Sequence, residues 1–303
     1  VETVGSLLAE ATGRLRAAGS ESARLDAELL LGHVLGLERT SVMAHPDARV
    51  GDGQAASVRA LVERRAAGEP VAYIRGLKEF YGLAFAVDPR ALIPRPETEL
   101  LVDLAVDWLR ELLVAAPRPA GTPPLRAWDV GTGCGAIAVA VAVTLRAGGY
   151  LRDVRLVASD ISRDALALAL ENVVAHGVAD RIDLAVGDLT AVDPAPGRVE
   201  LVVANLPYIP TEVVSRLPVA GSFEPAIALD GGPDGLAVIR RLLPALATSL
   251  LPRGRALLEI GEEQVDAAME AVATALPGAR AAVHADLTGR PRALQVDLPG
   301  EVP

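Results

Sequence analysis

From Arg126 onwards, short apolar β-branched runs alternate with helix-length amphipathic stretches. That rhythm commits this part of the chain to a parallel sheet with helices on its faces. Strands are expected at Ala127–Val130, Arg155–Ser159, Ile182–Val186, Leu201–Ala204 and Arg255–Ile260. Helices are expected at Ala136–Ala147, Arg163–His176, Gly235–Leu250 and Glu263–Ala275. The last two runs, Ala281–Ala285 and Ala293–Asp297, flank Thr288-Gly289-Arg290-Pro291 and read as an antiparallel hairpin. In open α/β sheets ligands bind beyond the carboxyl ends of the strands. The residues just past each strand are therefore the first places to look for chemistry.

The fourth of these strands ends in Asn205-Leu206-Pro207-Tyr208. Pro207 has no N–H to give to a ladder, so the strand stops there. An amide side chain, a main-chain carbonyl and an aromatic ring are left at a strand end. Asn-x-Pro-Tyr in this place resembles the (Asp/Asn)-Pro-Pro-Tyr motif of methyltransferases that act on planar, weakly nucleophilic nitrogens.

The first strand runs into Gly131-Thr132-Gly133-Cys134-Gly135 and then an apolar helix. Glycines allow a sharp turn and close approach to a ligand. Dinucleotide-binding turns share this feature, but their G-x-G-x-x-G spacing is not met, because the glycines here follow G-x-G-x-G. The spacing favours S-adenosylmethionine. Asp129, just before the turn, is placed to hold the amino-acid part of such a donor. Asp160, ending the second strand, is placed to accept the ribose hydroxyls; equally, it could cap the next helix, a role Ser162 could also fill. Asp188 is placed to meet the adenine amino group, with Leu189 against the ring, unless the pair is a solvated turn. Cys134 reads as a packing residue in the turn. His33, His45, His176 and His284 are scattered without ligand spacing, so no metal site is expected.

Residues 1–75 read as a helical domain. Leu7, Leu8, Ala11 and Leu15, then Leu25, Leu29, Leu30 and Val34, recur at helical steps. Ser20 or Ser22 is expected to cap the second helix, His45–Gly53 to be a loop, and Ser57–Ala67 a further helix. With no catalytic constellation of its own, this region suggests substrate recognition or a packing appendage. Residues 76–97 follow as a β-hairpin linker, where Phe80, Tyr81 and Phe85 concentrate and Gly76 and Gly82 punctuate short apolar runs. Arg95-Pro96-Glu97-Thr98-Glu99 has the form of a well-made helix start, with Pro and carboxylates at the positive end. The third domain, residues 98–303, holds the sheet, entered after a Pro-rich loop at Pro117–Pro124.

Composition narrows the function. The 303 residues carry 29 Lys and Arg against 39 Asp and Glu, a formal charge of −10. The basic residues are scattered among carboxylates, which disfavours a nucleic-acid backbone as partner and favours a protein or small molecule. No stretch of about 18 apolar residues appears, so no membrane partner is expected. Residues 1–19 alternate acidic, apolar and basic side chains and lack the core of a secretory leader. The missing initiator Met suggests processing or trimming. A single cysteine fits a reducing cytoplasm.

Taken together, these stretches resemble the release-factor glutamine methyltransferases, the PrmC/HemK family, from about Leu25 to Gln295. The matching words are Glu69-Pro70-Val71-Ala72-Tyr73-Ile74 with Gly76, Glu79-Phe80-Tyr81-Gly82, Leu92–Glu99, the glycine turn and Asn205–Pro210. Phe223-Glu224-Pro225, Gly231-Gly232 with Asp234-Gly235, Leu258-Glu259-Ile260-Gly261 and Gly289-Arg290 complete them. The resemblance implies an α/β fold: a seven-stranded Rossmann-like S-adenosylmethionine-dependent methyltransferase sheet with a small N-terminal helical domain and a β-hairpin linker. It implies transfer of methyl to the side-chain N5 of the glutamine in the Gly-Gly-Gln motif of class-1 peptide chain release factors, by a cytoplasmic monomer. Asn205, Leu206, Pro207 and Tyr208 would be catalytic, Asn205 and the Leu206 carbonyl accepting the two amide N–H groups and Tyr208 packing over the amide. Asn205 would also border the donor. Leu206 stands where the family usually has Pro. Asn-Leu-Pro-Tyr occurs in ribosomal-RNA adenine dimethylases as well, which keeps an adenine-N6 methyltransferase of RNA or DNA as an alternative. A non-catalytic binding module on the same scaffold is the other.

Overall fold

A computed structural model describes residues 2–116, 118, 119, 121–193, 195–217 and 219–300. Pro117 and Ala120 of the expected Pro-rich loop lie outside the described residues, as do Val1 and residues 301–303 at the ends of the expected domains. Two compact units result, Val1–Leu77 with Leu217–Phe223 and Lys78–Arg216 with Glu224–Pro303.

The first unit is helical: α1 (Val4–Ala17), α2 (Ala23–Leu35), α3 (Arg39–Ala44), α4 (Asp52–Ala66) and the short α5 (Val71–Arg75). Leu7 and Leu15 of α1, Leu30 and Leu31 of α2, and Val58 and Val62 of α4 form its dry centre. Helix α1 starts with a reciprocal cap, Ser6 N–H to Thr3 Oγ1 at 3.2 Å and Thr3 N–H to Ser6 Oγ at 3.0 Å. Ser22 does flank α2, but it makes no main-chain cap. Both it and Ser20 instead donate to the Asp26 carboxylate at 2.9 Å, which also pairs with Arg65 at 2.7 Å. Helix α4 begins at Asp52, inside the expected loop, because Gly51 is extended and releases the chain directly into the helix.

A hairpin follows, β1 (Leu77–Phe80) and β2 (Leu83–Ala86), all but its first residue in the second unit. Its two-residue turn has both central residues at positive φ, Tyr81 at 53° and Gly82 at 68°, the turn whose twist matches paired strands. Tyr81 ties the hairpin to the next helix, α6 (Glu99–Ala115), through its N–H to Glu99 (2.8 Å) and its hydroxyl to Asp103 (2.6 Å). The expected alternation follows: β3 (Leu125–Val130), α7 (Ala136–Ala147), β4 (Val154–Asp160), α8 (Arg163–Ala175) and β5 (Ile182–Asp188). Next come β6 (Ala191–Asp193), β7 (Val199–Ala204), α9 (Thr211–Val214), α10 (Ala237–Ser249), β8 (Leu250–Glu259), α11 (Val265–Ala275), β9 (Arg280–Ala285) and β10 (Pro291–Asp297).

These strands form one eight-stranded sheet in the order β6-β5-β4-β3-β7-β8-β10-β9. The pairs from β5 across to β8 are parallel, while β10 is antiparallel to both β8 and β9. Beyond the seven expected strands, only the three-residue β6 is added, antiparallel at the edge. Trp128, Val202, Ala256 and Leu294 face α10 and α11 on one side of the sheet, and α6, α7 and α8 cover the other. The strand order reverses at β3: the chain leaves it for β4 and β5 on one side, and β7 and β8 are added on its other flank. That is the switch point at which such sheets open a crevice.

Candidate active site

A cavity of about 480 Å³ lies at this switch point. Its wall includes Gly131, Thr132, Gly133 and Cys134 after β3, Asp160 after β4, Asp188 and Leu189 after β5, and Asn205, Leu206 and Pro207 after β7. Four strand ends thus meet in one crevice, as their sequence positions predicted. Thr98, Pro94, Ile227 and Arg241 close it from other segments.

The glycine turn is set by main-chain bonds across the sheet. Gly131 N–H and Thr132 N–H both donate to the Ser159 carbonyl, at 2.8 and 2.9 Å. Gly133 N–H donates to Asp160 Oδ2 at 2.9 Å, and Ser162 N–H to Oδ1 at the same distance. Both Asp160 oxygens are therefore held by main-chain N–H groups at the cavity wall, and Ser162 rather than Asp160 caps α8, accepting from Ala165 N–H. Burial raises the Asp160 carboxyl above the ordinary range. Asn172 of α8 joins the turn to the hairpin: its amide accepts from Ala86 N–H (2.8 Å) and donates to the Ala86 carbonyl (3.0 Å) and the Cys134 carbonyl (2.9 Å). Cys134 is buried and its thiol is pushed up to about 12 by that burial, the state of a packing residue rather than a nucleophile.

Three expected positions are corrected. Asp129 and Gly135 do not line the cavity. The Asp129 carboxylate turns under the loop, where Oδ2 accepts from Thr132 Oγ1 (2.6 Å) and Ala138 N–H (3.2 Å), so it braces the turn from behind. Tyr208 does not line the cavity either; its hydroxyl donates to Glu259 Oε1 at 3.0 Å. Asp188 does line the cavity, and it pairs with Arg241 of α10. Leu189 beside it holds φ at 54°, a left-handed conformation costly to a side chain that strands and helices would not select.

Burial pushes the Asp129 pKa up to about 7, against the two hydrogen bonds that favour the anion. Its Oδ1 is buried with no partner. Between the ordinary aspartate value of 3.8 and about 7, the folded chain then holds a proton that the unfolded chain has released. The contribution of this carboxyl to stability falls as pH rises through that window and is level on either side of it. Asp129→Asn removes this part of the slope. Urea unfolding of both proteins from about pH 4 to pH 8 checks it, and parallel curves would contradict it.

At the end of β7, Asn205 Nδ2 donates to Thr98 Oγ1 at 3.0 Å. Thr98 Oγ1 in turn donates to Glu259 Oε2 at 2.6 Å. Glu259 ends β8, is fully buried, and is raised in pKa by that burial. Among the described residues no donor reaches Asn205 Oδ1 or the Leu206 carbonyl, so consecutive residues on the cavity wall each keep a neutral acceptor. The Leu206 side chain is buried in the core and touches the glycine turn, its Cδ2 lying 2.9 Å from where a Cβ on Gly131 would be. Leu in place of Pro keeps the carbonyl and adds an apolar anchor. Opposite, Glu224 accepts from Ile93 N–H at 3.0 Å and pairs with Arg95, joining the segments that carry Pro94 and Pro225 on the cavity wall. Thr98, Glu259, Glu224 and Arg241 were not assigned to the site from sequence. Glu259 carried a signal all the same: a carboxylate inside an apolar strand must find donors.

This architecture, a mostly parallel sheet ending in an antiparallel hairpin with the cavity at its switch point, is that of the S-adenosylmethionine-dependent methyltransferases. The solved structure of the hMettl16 catalytic domain in complex with MAT2A 3′UTR hairpin 6 shares the fold at a TM-score of 0.53 and 15% identity, covering 85% of this chain and 87% of that one. A family model for the PrmC N-terminal domain matches residues 6–76. The release factor glutamine methyltransferase of Moorella thermoacetica is 40% identical over 266 residues, 86% of this chain and 87% of that protein. The release factor glutamine methyltransferase of Deinococcus radiodurans is 37% identical over 286 residues, 94% and 95% of the two chains. The chain belongs to the release factor glutamine methyltransferase family.

Proposed function

We propose that the protein methylates N5 of the glutamine in the Gly-Gly-Gln motif of class-1 release factors, with S-adenosylmethionine as donor. The observation that carries this reading is the pair of neutral acceptors, Asn205 Oδ1 and the Leu206 carbonyl, at the wall of the cavity. A primary amide has two N–H groups and a nitrogen whose lone pair is drawn into its carbonyl. Two acceptors orient that nitrogen and hold its protons as positive charge develops, so their bonds strengthen towards the transition state. No strong base is required, because the proton on the alkylated nitrogen is acidic. Adenine N6 offers the same two N–H groups, and family membership is what favours glutamine over it.

The cavity fits the donor. Asp160 presents carboxylate lone pairs suited to a ribose diol, and Leu189, Ile161 and Pro94 give an apolar surface suited to a purine. Gly131 at φ 75° brings bare main chain to the wall, where a side chain would meet Leu206. When bound, S-adenosylmethionine supplies an electrophilic methyl on a sulfonium. The protein's own part is to exclude water and align the amide nitrogen. The helical unit is assigned to substrate recognition, and the enzyme to the cytoplasm as a monomer. No described helix is long and apolar enough to cross a membrane.

The test is transfer of labelled methyl to purified unmethylated release factor. A factor with its Gly-Gly-Gln glutamine replaced and ribosomal RNA are run alongside. Label confined to the intact factor is expected. Label on RNA would replace the reading with the adenine one, and donor binding without any label would leave a binding module.

A further inference from the structure

We propose that Thr98 and Glu259 are positioning residues that decide which end of the Asn205 amide faces the cavity. The argument rests on the reading of Asn205 as acceptor and follows from counting protons. A threonine hydroxyl has one proton to give, and an ionised carboxylate can only accept. Glu259 Oε2 takes the Thr98 proton at 2.6 Å. What Thr98 has left is a lone pair, and Asn205 Nδ2 donates to it at 3.0 Å. Turning the amide by half a revolution would set Oδ1 against that lone pair with no proton between them. The carboxylate thus imposes a direction on the whole chain of bonds, and the acceptor end of Asn205 is the end left for substrate. The other carboxylate oxygen accepts the Tyr208 hydroxyl at 3.0 Å, so both side chains of the Asn-x-Pro-Tyr loop hang from one buried group.

The polarity reverses if Glu259 gains a proton. It can then donate to Thr98, Thr98 to Asn205 Oδ1, and the amide nitrogen would face the cavity, where it cannot accept. The charged and titratable groups facing Glu259 are the Tyr208 hydroxyl on the loop after β7, Arg292 on β10 and Glu97 before α6. Burial of Glu259 places the acid limb of kcat above the usual carboxylate range, with activity falling as pH drops through it.

The experiment measures kcat, KM for release factor, donor affinity by calorimetry and melting temperature for Thr98→Val, Thr98→Ser, Asn205→Ala and the double variant Thr98→Val/Asn205→Ala. Losing one oriented polar partner predicts a kcat drop of about 10- to 100-fold for Thr98→Val, with donor affinity within about twofold. Thr98→Ser restores most of the loss. Thr98→Val adds less than about twofold to Asn205→Ala, since it acts through Asn205. The acid limb assigned to Glu259 disappears in Thr98→Val. If Thr98→Val does not fold, Glu259→Gln asks the same question at equal volume, because its amide can donate to Thr98, and a kcat drop of about 10-fold is expected. Wild-type kcat in the folded variant, or an equal further loss in the Asn205→Ala background, would overturn the positioning role. Failure of the wild type to label glutamine, or an Asn205→Ala enzyme as fast as wild type, would instead overturn the functional reading, and this inference with it.

Discussion

Asn205→Ala lowers kcat for methyl transfer by about 10²-fold or more while S-adenosylmethionine still binds, the size typical of removing one preorganised polar group from a site of developing charge. Alanine deletes the Oδ1 acceptor and leaves the Leu206 carbonyl alone to orient the substrate amide. It also leaves Thr98 Oγ1 without its donor, in a buried position. The loss falls on kcat more than on KM for release factor, because the bond to Oδ1 gains most when the nitrogen carries positive charge. Single-turnover transfer from pre-bound donor separates this from slow product release. A rate within a few-fold of wild type would remove Asn205 from the chemistry.

Much of this site was legible before the fold was known, for a physical reason. Parallel strands are buried on both faces, so Leu201–Ala204 and its neighbours read as continuous apolar runs, and the residues that end them fall at the cavity by topology alone. Asp160, Asp188, Asn205 and Gly131 to Cys134 of the glycine turn line it. What failed was side-chain direction. Asp129 is the penultimate residue of its strand and lies within the core, where its carboxylate accepts from Thr132 of the turn rather than lining the cavity. Tyr208 was expected to pack over the substrate amide, and its hydroxyl's bond to the buried Glu259 was not foreseen. Thr98 looked like part of a helix start, and it does sit at one. Its partners are 107 and 161 residues away, pairings no local spacing encodes. The three-residue β6 is too short to carry a period.

Gly235→Ala shows how the loop after β7 is held up from beneath. Residues Gly231 to Gly235 run along the back of Pro207 and Tyr208, and main chain meets main chain there. Ile209 N–H bonds the Leu229 carbonyl at 3.1 Å, and Gly231 N–H bonds the Ile209 carbonyl at 2.8 Å. Gln264 completes the brace, its Nε2 donating to the Tyr208 carbonyl at 2.8 Å and the Asp234 carbonyl at 3.1 Å. A Cβ on Gly235 would lie 2.1 Å from the Tyr208 carbonyl oxygen and 2.3 Å from Gln264 Nε2. A backbone oxygen cannot rotate aside, so the loop carrying Asn205 must shift. Gly235 also holds φ at 79°, which alanine adopts only under strain. Strain and overpacking together predict a stability loss of about 3–5 kcal/mol and a kcat loss beyond about 10-fold. Gly278→Ala isolates the first of these, since Gly278 holds φ at 88° with nothing near its absent Cβ. It should cost about 1 kcal/mol and leave methyl transfer intact. Denaturant unfolding and methyl transfer on the two variants decide the matter, because equal losses would mean that backbone strain alone is at work. A larger loss at Gly235 in both measurements ties the Gly-Gly-x-Asp-Gly stretch to the geometry of Asn205.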